Sequence, residues 1–473
     1  MSFDLFGQTR RQFLQKCNVG LGAIAATALL PECMLASGPE SSRSLGKAKN
    51  VIYIHLAGSP SQLELFDYKP ELEKNDLKPC PDELLKDQNF AFIKGHPKLL
   101  GPRAKFAQSE ITGSWFSEHV PNLASIADDL TIVRSMHTDQ FNHAPAQLFL
   151  LTGNPRSGYP SVGSWVTYGL GTENDNLPGF VVLLSGGNNP SAGKAAWGSG
   201  FLPSVYQGVQ CRTSGDPILF LNNPQGMNRE VRRQSLDTLN ELNQMQARQF
   251  GDQETLTRIQ QYELAYRMQI EAPEIMDIGK ESQETLAMYG AEPGANSMAN
   301  NCLLARRLVE NGVRFVQLFD YGWDVHGTGA HDDLVTQFPR KCKEMDLPVT
   351  ALINDLKQRG LLEETLVIWG GEFGRTSMNE ARNGSKFWGR DHHPHCFTML
   401  FAGGGMKPGL DFGKTDDLGY FITEDEVSVR DIQSSILHLL GLDPKKHSYP
   451  FQGLNQRLIG PSDEGKIRHE LFA

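Results

Sequence analysis

Short apolar runs alternate with helix-length amphipathic stretches along much of this chain, and that alternation restricts the fold more than any other feature. The runs cover residues 50–56, 130–133, 179–184, 313–319, 366–369 and 398–402. Each has the length of a strand buried on both faces and is too short for a helix. Between several of them lie apolar positions at helical spacing, over 303–311 and 338–359. Strands separated by helices predict a mostly parallel sheet covered on both sides, an α/β/α sandwich. In such sheets ligands bind beyond the carboxyl ends of the strands.

Two of the runs lead into chemically distinctive turns. Asp324 and His326 stand in Gly-Trp-Asp-Val-His-Gly, and Glu372 and Arg375 stand in Gly-Gly-Glu-Phe-Gly-Arg-Thr. A third cluster carries Arg390, Asp391, His392, His393 and His395 ahead of the run at 398–402, so the order predicts a loop that folds it back over the site. Carboxylates supply charge and hard oxygen, and neutral imidazoles supply borderline nitrogen. That mixture suits zinc or manganese better than calcium. One or two such ions are expected, held by Asp324, His326, Glu372, Asp391, His392 and His393. A single Asp or His at a glycine-flanked turn is more often a capping or solvated group; the three clusters together carry the metal reading.

The first 36 residues predict a twin-arginine export signal. They contain Arg10-Arg11, an apolar run from Val19 to Leu30, and Met34-Leu35-Ala36 before a Ser/Gly-rich stretch. Cleavage after Ala36 is expected to leave a periplasmic or otherwise exported chain without an integral span, because the run is shorter than the roughly 20 residues a bilayer needs. Five cysteines then remain, Cys80, Cys211, Cys302, Cys342 and Cys396, which allow one disulfide but no cysteine framework or zinc knuckle. Acidic residues outnumber basic ones, 55 to 45, and no basic stretch is interleaved with aromatics, which argues against nucleic acid as a partner. Residues 37–473 are expected to form one domain. Within it, residues 226–290 predict a helical insertion with Leu236, Leu239, Leu242 and Met245 on one apolar stripe, either a partial lid or a solvated helical pair.

Taken together, the motifs resemble a known family. The twin-arginine start, His55-Leu-Ala-Gly-Ser-Pro-Ser, Phe66-Asp67-Tyr-Lys-Pro70, Asn142-His143-Ala-Pro145-Ala and the three clusters resemble domain of unknown function 1501. Its members are exported, sulfatase-like bacterial proteins usually placed in the alkaline phosphatase superfamily. The resemblance covers nearly the whole mature chain. It implies a large sandwich with two metal ions near the strand ends, and an attacking Ser, Thr or formylglycine between them at a helix start. Asp324 and His326 resemble the Asp and His of one metal. Glu372-Phe373-Gly374 stands where the superfamily has Asp-His-Gly, and a phenylalanine cannot ligate. Asp391, His392 or His393 would have to replace the missing ligand.

Neither Cys80-Pro81-Asp82 nor Cys211-Arg212-Thr213 has the spacing of a formylglycine motif, and the Asp-Ser-Ala of alkaline phosphatase is absent. The remaining region, Arg134 to His143, is similar to nucleotide pyrophosphatases, where a Thr lies three residues before an Asn-His pair. Here that place is Asp139, with Thr138 beside it. Thr138 is expected to attack from a helix start, or else an activated water attacks with Asp139 as ligand or base. Asn142 and His143 belong to the same candidate set, Asn142 as an oxyanion donor or as a helix cap. Arg375 and Arg390 suit a substrate sulfate, phosphate or carboxylate, or else pair with Glu372 or Asp391. His55 ends the first strand, where superfamily members often place a metal-binding Asp, and Asp67 either ligates or orders its turn. The expected activity is hydrolysis of phosphate or sulfate esters on an anionic small-molecule or polysaccharide substrate. The alternative is an inactive member that binds an anionic polysaccharide or a cell-envelope partner.

Overall fold

The computed structural model describes residues 46–473 apart from 87, 89, 213–217, 219–222, 224–225, 251–252 and 462–464. The export signal lies outside the described residues. A nine-stranded sheet runs through the molecule. Its strands are β1 (Asn50–Ala57), β2 (Leu130–His137), β3 (Phe180–Ser185), β4 (Val209–Cys211), β5 (Phe315–Tyr321), β6 (Thr365–Gly370), β7 (Phe397–Ala402), β8 (Leu410–Phe412) and β9 (Val427–Ser428). Their spatial order is β8-β2-β7-β6-β1-β5-β3-β4, with β9 also pairing β2. The pairings are parallel except those of β7, which runs antiparallel to both β2 and β6.

The larger helices are α1 (His143–Thr152), α2 (Val162–Leu170), α3 (Arg229–Phe250), α4 (Gln253–Met276), α5 (Met298–Glu310), α6 (Gln337–Gln358) and α7 (Val429–Leu439). Strand β1 is buried along its whole length. Its side chains alternate between two cores. Val51 and Tyr53 face residues of α1, α2 and α7, while Ile52, Ile54 and Leu56 face residues of α5 and α6. Burial on both faces is why the strand reads as a continuous apolar run.

Reversal of β7 places its amino end beside the carboxyl ends of β2 and β6. The His392 cluster therefore needs no returning loop, contrary to the sequence expectation. It arrives at the site because the strand that follows it starts there.

Helices α3 and α4 pack on each other, and α4 packs on α5. Of the predicted stripe only Leu236 is buried; Leu239, Leu242 and Met245 are 42%, 57% and 63% exposed. Steps of three residues fall roughly 60° short of a helical turn, so the series winds from one side of the helix to the other. Glu271 of α4 bonds Asn174 and Asn176 just ahead of β3, which ties the hairpin to the amino ends of the strands rather than over the site. The five cysteines are free and buried, so the one disulfide the sequence allowed is not formed. Among the described residues no helix is long and apolar enough to cross a membrane.

Candidate metal centre

Four strand ends deliver the site. His143 opens α1 after β2, Asp324 and His326 lie in the turn after β5, Glu372 lies in the turn after β6, and His392 precedes β7. The turns meet backbone to backbone. At Gly58, with φ of 105°, an added Cβ would lie 2.5 Å from the Asp324 nitrogen, and at Gly389 it would collide with the His326 carbonyl carbon. Ser59 also has positive φ, at 58°, and its hydroxyl accepts from the amides of Glu372 and Phe373 at 2.9 and 3.1 Å. Strain of this kind persists where surrounding contacts fix it.

His143, Asp324, His326 and His392 converge, each offering one ligand atom within 4.8 Å of the others. From Asp324 Oδ1 the Nε2 atoms of His326, His143 and His392 lie 2.7, 3.1 and 3.5 Å away. Tetrahedral ligands about 2.0–2.1 Å from zinc would stand roughly 3.3 Å apart, close to these separations. Asp324 keeps 32% of its side-chain exposure against 16% for His143, 7% for His326 and 3% for His392, so the centre opens to solvent on the Asp324 side.

The far nitrogen of every imidazole is engaged. His143 Nδ1 donates to Glu372 at 2.6 Å, His326 Nδ1 to Glu380 at 2.5 Å, and His392 Nδ1 to the Phe141 carbonyl at 2.7 Å. A carbonyl cannot donate, so His392 must carry its proton on Nδ1 and present a bare Nε2 when neutral. Carboxylate partners impose the same tautomer on the other two. His143 Nε2 and His392 Nε2 are buried without a hydrogen-bond partner, although both face a carboxylate oxygen. Bare nitrogens facing an anionic oxygen need a proton or a cation between them, and the donor set thus fits a divalent metal.

Glu372 is wholly buried and held by His143, by Gln147 at 2.9 Å, by the Gly58 amide at 3.2 Å and by His55 Nε2 at 3.2 Å. Burial opposes its charge, but His143 and His55 outweigh it and hold the carboxyl well below its usual range. Burial also opposes charge on His143, yet Asp324 and Glu372 push it up to about 9. Asp324 and Glu380 likewise raise His326 against its burial. His392 differs, because burial, reinforced by Arg375 and His143, pulls it down to about 4 although Asp324 opposes.

The family model described as "Protein of unknown function (DUF1501)" matches residues 48–472. The chain belongs to that family. No curated protein matches it. Solved structures similar to this DUF1501 chain include the PsFucS1 sulfatase from Pseudoalteromonas sp., 15% identical over 89% of this chain and 73% of that one, TM-score 0.38. A protein in the alkaline phosphatase superfamily from Vibrio parahaemolyticus is 11% identical over 91% of this chain and 72% of its own, TM-score 0.37. A TAB5 alkaline phosphatase mutant with magnesium bound is 11% identical over 84% of this chain and 99% of its own, TM-score 0.34.

Within the DUF1501 chain the structure draws Asp324, His326 and His392 together from the expected ligand set and adds His143, which the sequence placed among the reacting groups. It sets the other expected ligands elsewhere. Glu372 stands behind His143, with Oε1 accepting from His143, Gln147 and the Gly58 amide and Oε2 facing His55. Asp391 is buried and accepts from the amides of Phe92, Ile93 and His392. With His326 and Glu380 it forms a second close group, in which His326 Nδ1 is already bonded to Glu380. His393 points away, because successive strand residues face opposite sides. Its Nε2 bonds the Tyr420 carbonyl at 2.6 Å, and burial pulls its pKa down to about 3.

The expected reacting residues are also redistributed. Helix α1 begins only at His143, so Thr138 is not at a helix start; its amide bonds the Pro394 carbonyl and its hydroxyl accepts from Gln140. Asp139 is exposed on the turn. Asn142 is the exposed N-cap residue and makes no side-chain cap bond. Arg375 is fully buried; it binds Asp324 Oδ1 at 2.6 Å and the carbonyls of Gly58, Ser59 and Arg390. A guanidinium so occupied has no edge left for a substrate. Arg390 pairs with Glu64 at 2.7 Å rather than with Asp391. Asp67 accepts from Thr415 and Lys69 and orders its turn.

Glu380 and Gln147 escaped the sequence reading. Gln147 follows His143 by one helical turn, a spacing that puts both on one face. Glu380 lies in the irregular stretch between two clusters, where one acid among polar residues gives no signal. Phe373 packs against the rings of His143 and His392 at 4.9 and 4.6 Å, so the residue that cannot ligate supports two that can.

Proposed function

We propose that this protein is a metal-dependent hydrolase of phosphate or sulfate esters, exported through the twin-arginine pathway. The observation carrying the reading is the convergence of three imidazole Nε2 atoms on one oxygen of Asp324, with each imidazole proton fixed on the far nitrogen. His143, Asp324, His326 and His392 would hold a divalent ion, and the nitrogen-rich donors favour zinc or manganese. Such an ion supplies Lewis acidity, polarising an ester oxygen and lowering the pKa of a water. The chain's own residues prepare the place. Glu372, Glu380 and the Phe141 carbonyl fix the imidazole tautomers, Phe373 closes the inner side, and the exposed edge of Asp324 leaves the entrance. Export is supported by Arg10-Arg11 and the apolar run after it.

Metal analysis of protein purified without chelators tests the reading, together with assays on aryl phosphates and aryl sulfates for wild type and Asp324→Asn. At least one zinc or manganese per chain and activity that depends on Asp324 are expected. Substoichiometric metal with activity indifferent to the substitution would end it.

One observation favours a second reading, an inactive member that binds an anionic polysaccharide or cell-envelope partner. The nearby hydroxyls of Ser59 and Thr138 are engaged by backbone amides, and neither is offered to the cluster. Binding to a panel of polyanionic glycans without turnover of any ester would select this reading.

A further inference from the structure

Three arginines approach the centre, and they differ in what their donors do. Arg375 and Arg390 are fully buried, and their hydrogen bonds go to Asp324, Glu64 and backbone carbonyls. Arg382 keeps 27% of its side-chain exposure and pairs with Glu380 through Nε at 2.5 Å. Its Nη2 is buried without a hydrogen-bond partner.

The surrounding chain holds that guanidinium against the centre by two routes. Its carbon lies 3.6 Å from the centroid of the Phe92 ring, and the same ring meets His326 and His392 edge to face at 4.9 and 5.6 Å. Asp391 fixes Phe92 by accepting from its amide at 2.7 Å. The second route is Glu380, which joins Arg382 Nε to His326 Nδ1. On either side of Arg382, Ala381 and Asn383 have φ of 47° and 55°. Alanine avoids that left-handed conformation, and the neighbouring contacts must impose it here.

We propose that Arg382 grips the anionic oxygens of the substrate, holding a sulfate or phosphate group against the metal centre by its Nη edge. The proposal rests on the ester-hydrolase reading and deepens it by naming the side chain that holds the reacting sulfate or phosphate group. Glu380 occupies the Nε side, which leaves the buried, unpartnered Nη2 as the donor for an incoming anion, and a guanidinium fork matches two oxygens of such a group.

The test is calorimetric titration of inorganic phosphate and, separately, sulfate into the zinc-loaded full chain, with metal content measured on each sample. Wild type is expected to bind at least one of the anions. Arg382→Ala should weaken that binding about tenfold or more at unchanged metal content, the size of a lost charged hydrogen bond. Arg382→Lys, which keeps the charge without the fork, should fall between. Unchanged affinity in Arg382→Ala overturns the proposal and leaves the hydrolase reading standing. Binding of neither anion by zinc-loaded wild type overturns both. Loss of zinc in both variants would make Arg382 a positioning residue for His326 and also overturn the proposal.

Discussion

His143 donates its Nδ1 proton to the buried carboxylate of Glu372 across 2.6 Å, and this bond aims the opposite nitrogen at Asp324. Glu372 follows a different strand from His143, so the bond also ties two strand ends together. Outer partners of this kind set both the orientation and the basicity of a metal-binding imidazole.

Glu372→Gln and Glu380→Gln each keep the shape of the side chain while removing its charge. Each is expected to lower zinc affinity about 10–100-fold, read by competition with a chromophoric chelator. Equal affinity in both variants and wild type would show that neither carboxylate supports the centre.

Zinc added to chelator-treated protein should raise the thermal midpoint. At about 100-fold excess over Kd the stabilisation is roughly 2.7 kcal/mol. Asp324→Asn should abolish most of the shift. The asparagine is preferred to alanine because Asp324 also answers the buried Arg375 guanidinium, and deleting a buried partner outright costs about 3–5 kcal/mol by itself.

Acid should destabilise the metal-free fold partly through His393. The folded protein holds this imidazole neutral down to about pH 3, whereas in the unfolded chain it titrates near 6.5. Between those values the unfolded state binds the extra proton, so stability is full above pH ~6.5 and falls as pH drops toward 3. From pH 6.5 to 5 the loss is about 2 kcal/mol. Urea denaturation of wild type and His393→Gln at pH 7 and pH 5 checks it: the wild type should lose more stability between the two.

Gly389→Ala should damage both fold and site. The added methyl meets the backbone at His326 and Gly327, and overpacking of this kind costs about 1–3 kcal/mol or more. A lower denaturation midpoint together with weaker zinc binding is the expected result, because the displaced turn carries His326.

The side chains of the buried pair Arg390 and Glu64 bond each other and backbone groups rather than the four converging ligands. Glu64→Ala should lower stability by about 3–5 kcal/mol, measured by denaturant titration, while the folded fraction retains wild-type zinc content.

The sheet was legible because strands buried on both faces leave continuous apolar runs. Strands β4, β8 and β9 left no such run, being only two or three residues long with exposed or half-exposed positions. The centre was legible in outline, since Asp324, His326 and His392 sit in short clusters at turns. Sequence does not separate a ligand from the acid that holds a ligand, as Glu372 illustrates. Both are carboxylates beyond a strand, and what distinguishes them is which imidazole nitrogen each one faces. Nor does it reveal which of His392 and His393 turns inward, a matter of strand phase, or that Arg375 is enclosed by carbonyls from other turns.

The reversed strand β7 has a consequence for the order in which the molecule becomes competent. His143 and His392 are brought together only when a late segment slots between β2 and β6, two strands laid down far apart along the chain. An unfinished sheet therefore offers an ion no more than the Asp324 and His326 pair of a single turn. Metal capture at this position would act as a clasp that closes last, so retained metal reports that the whole sheet has assembled.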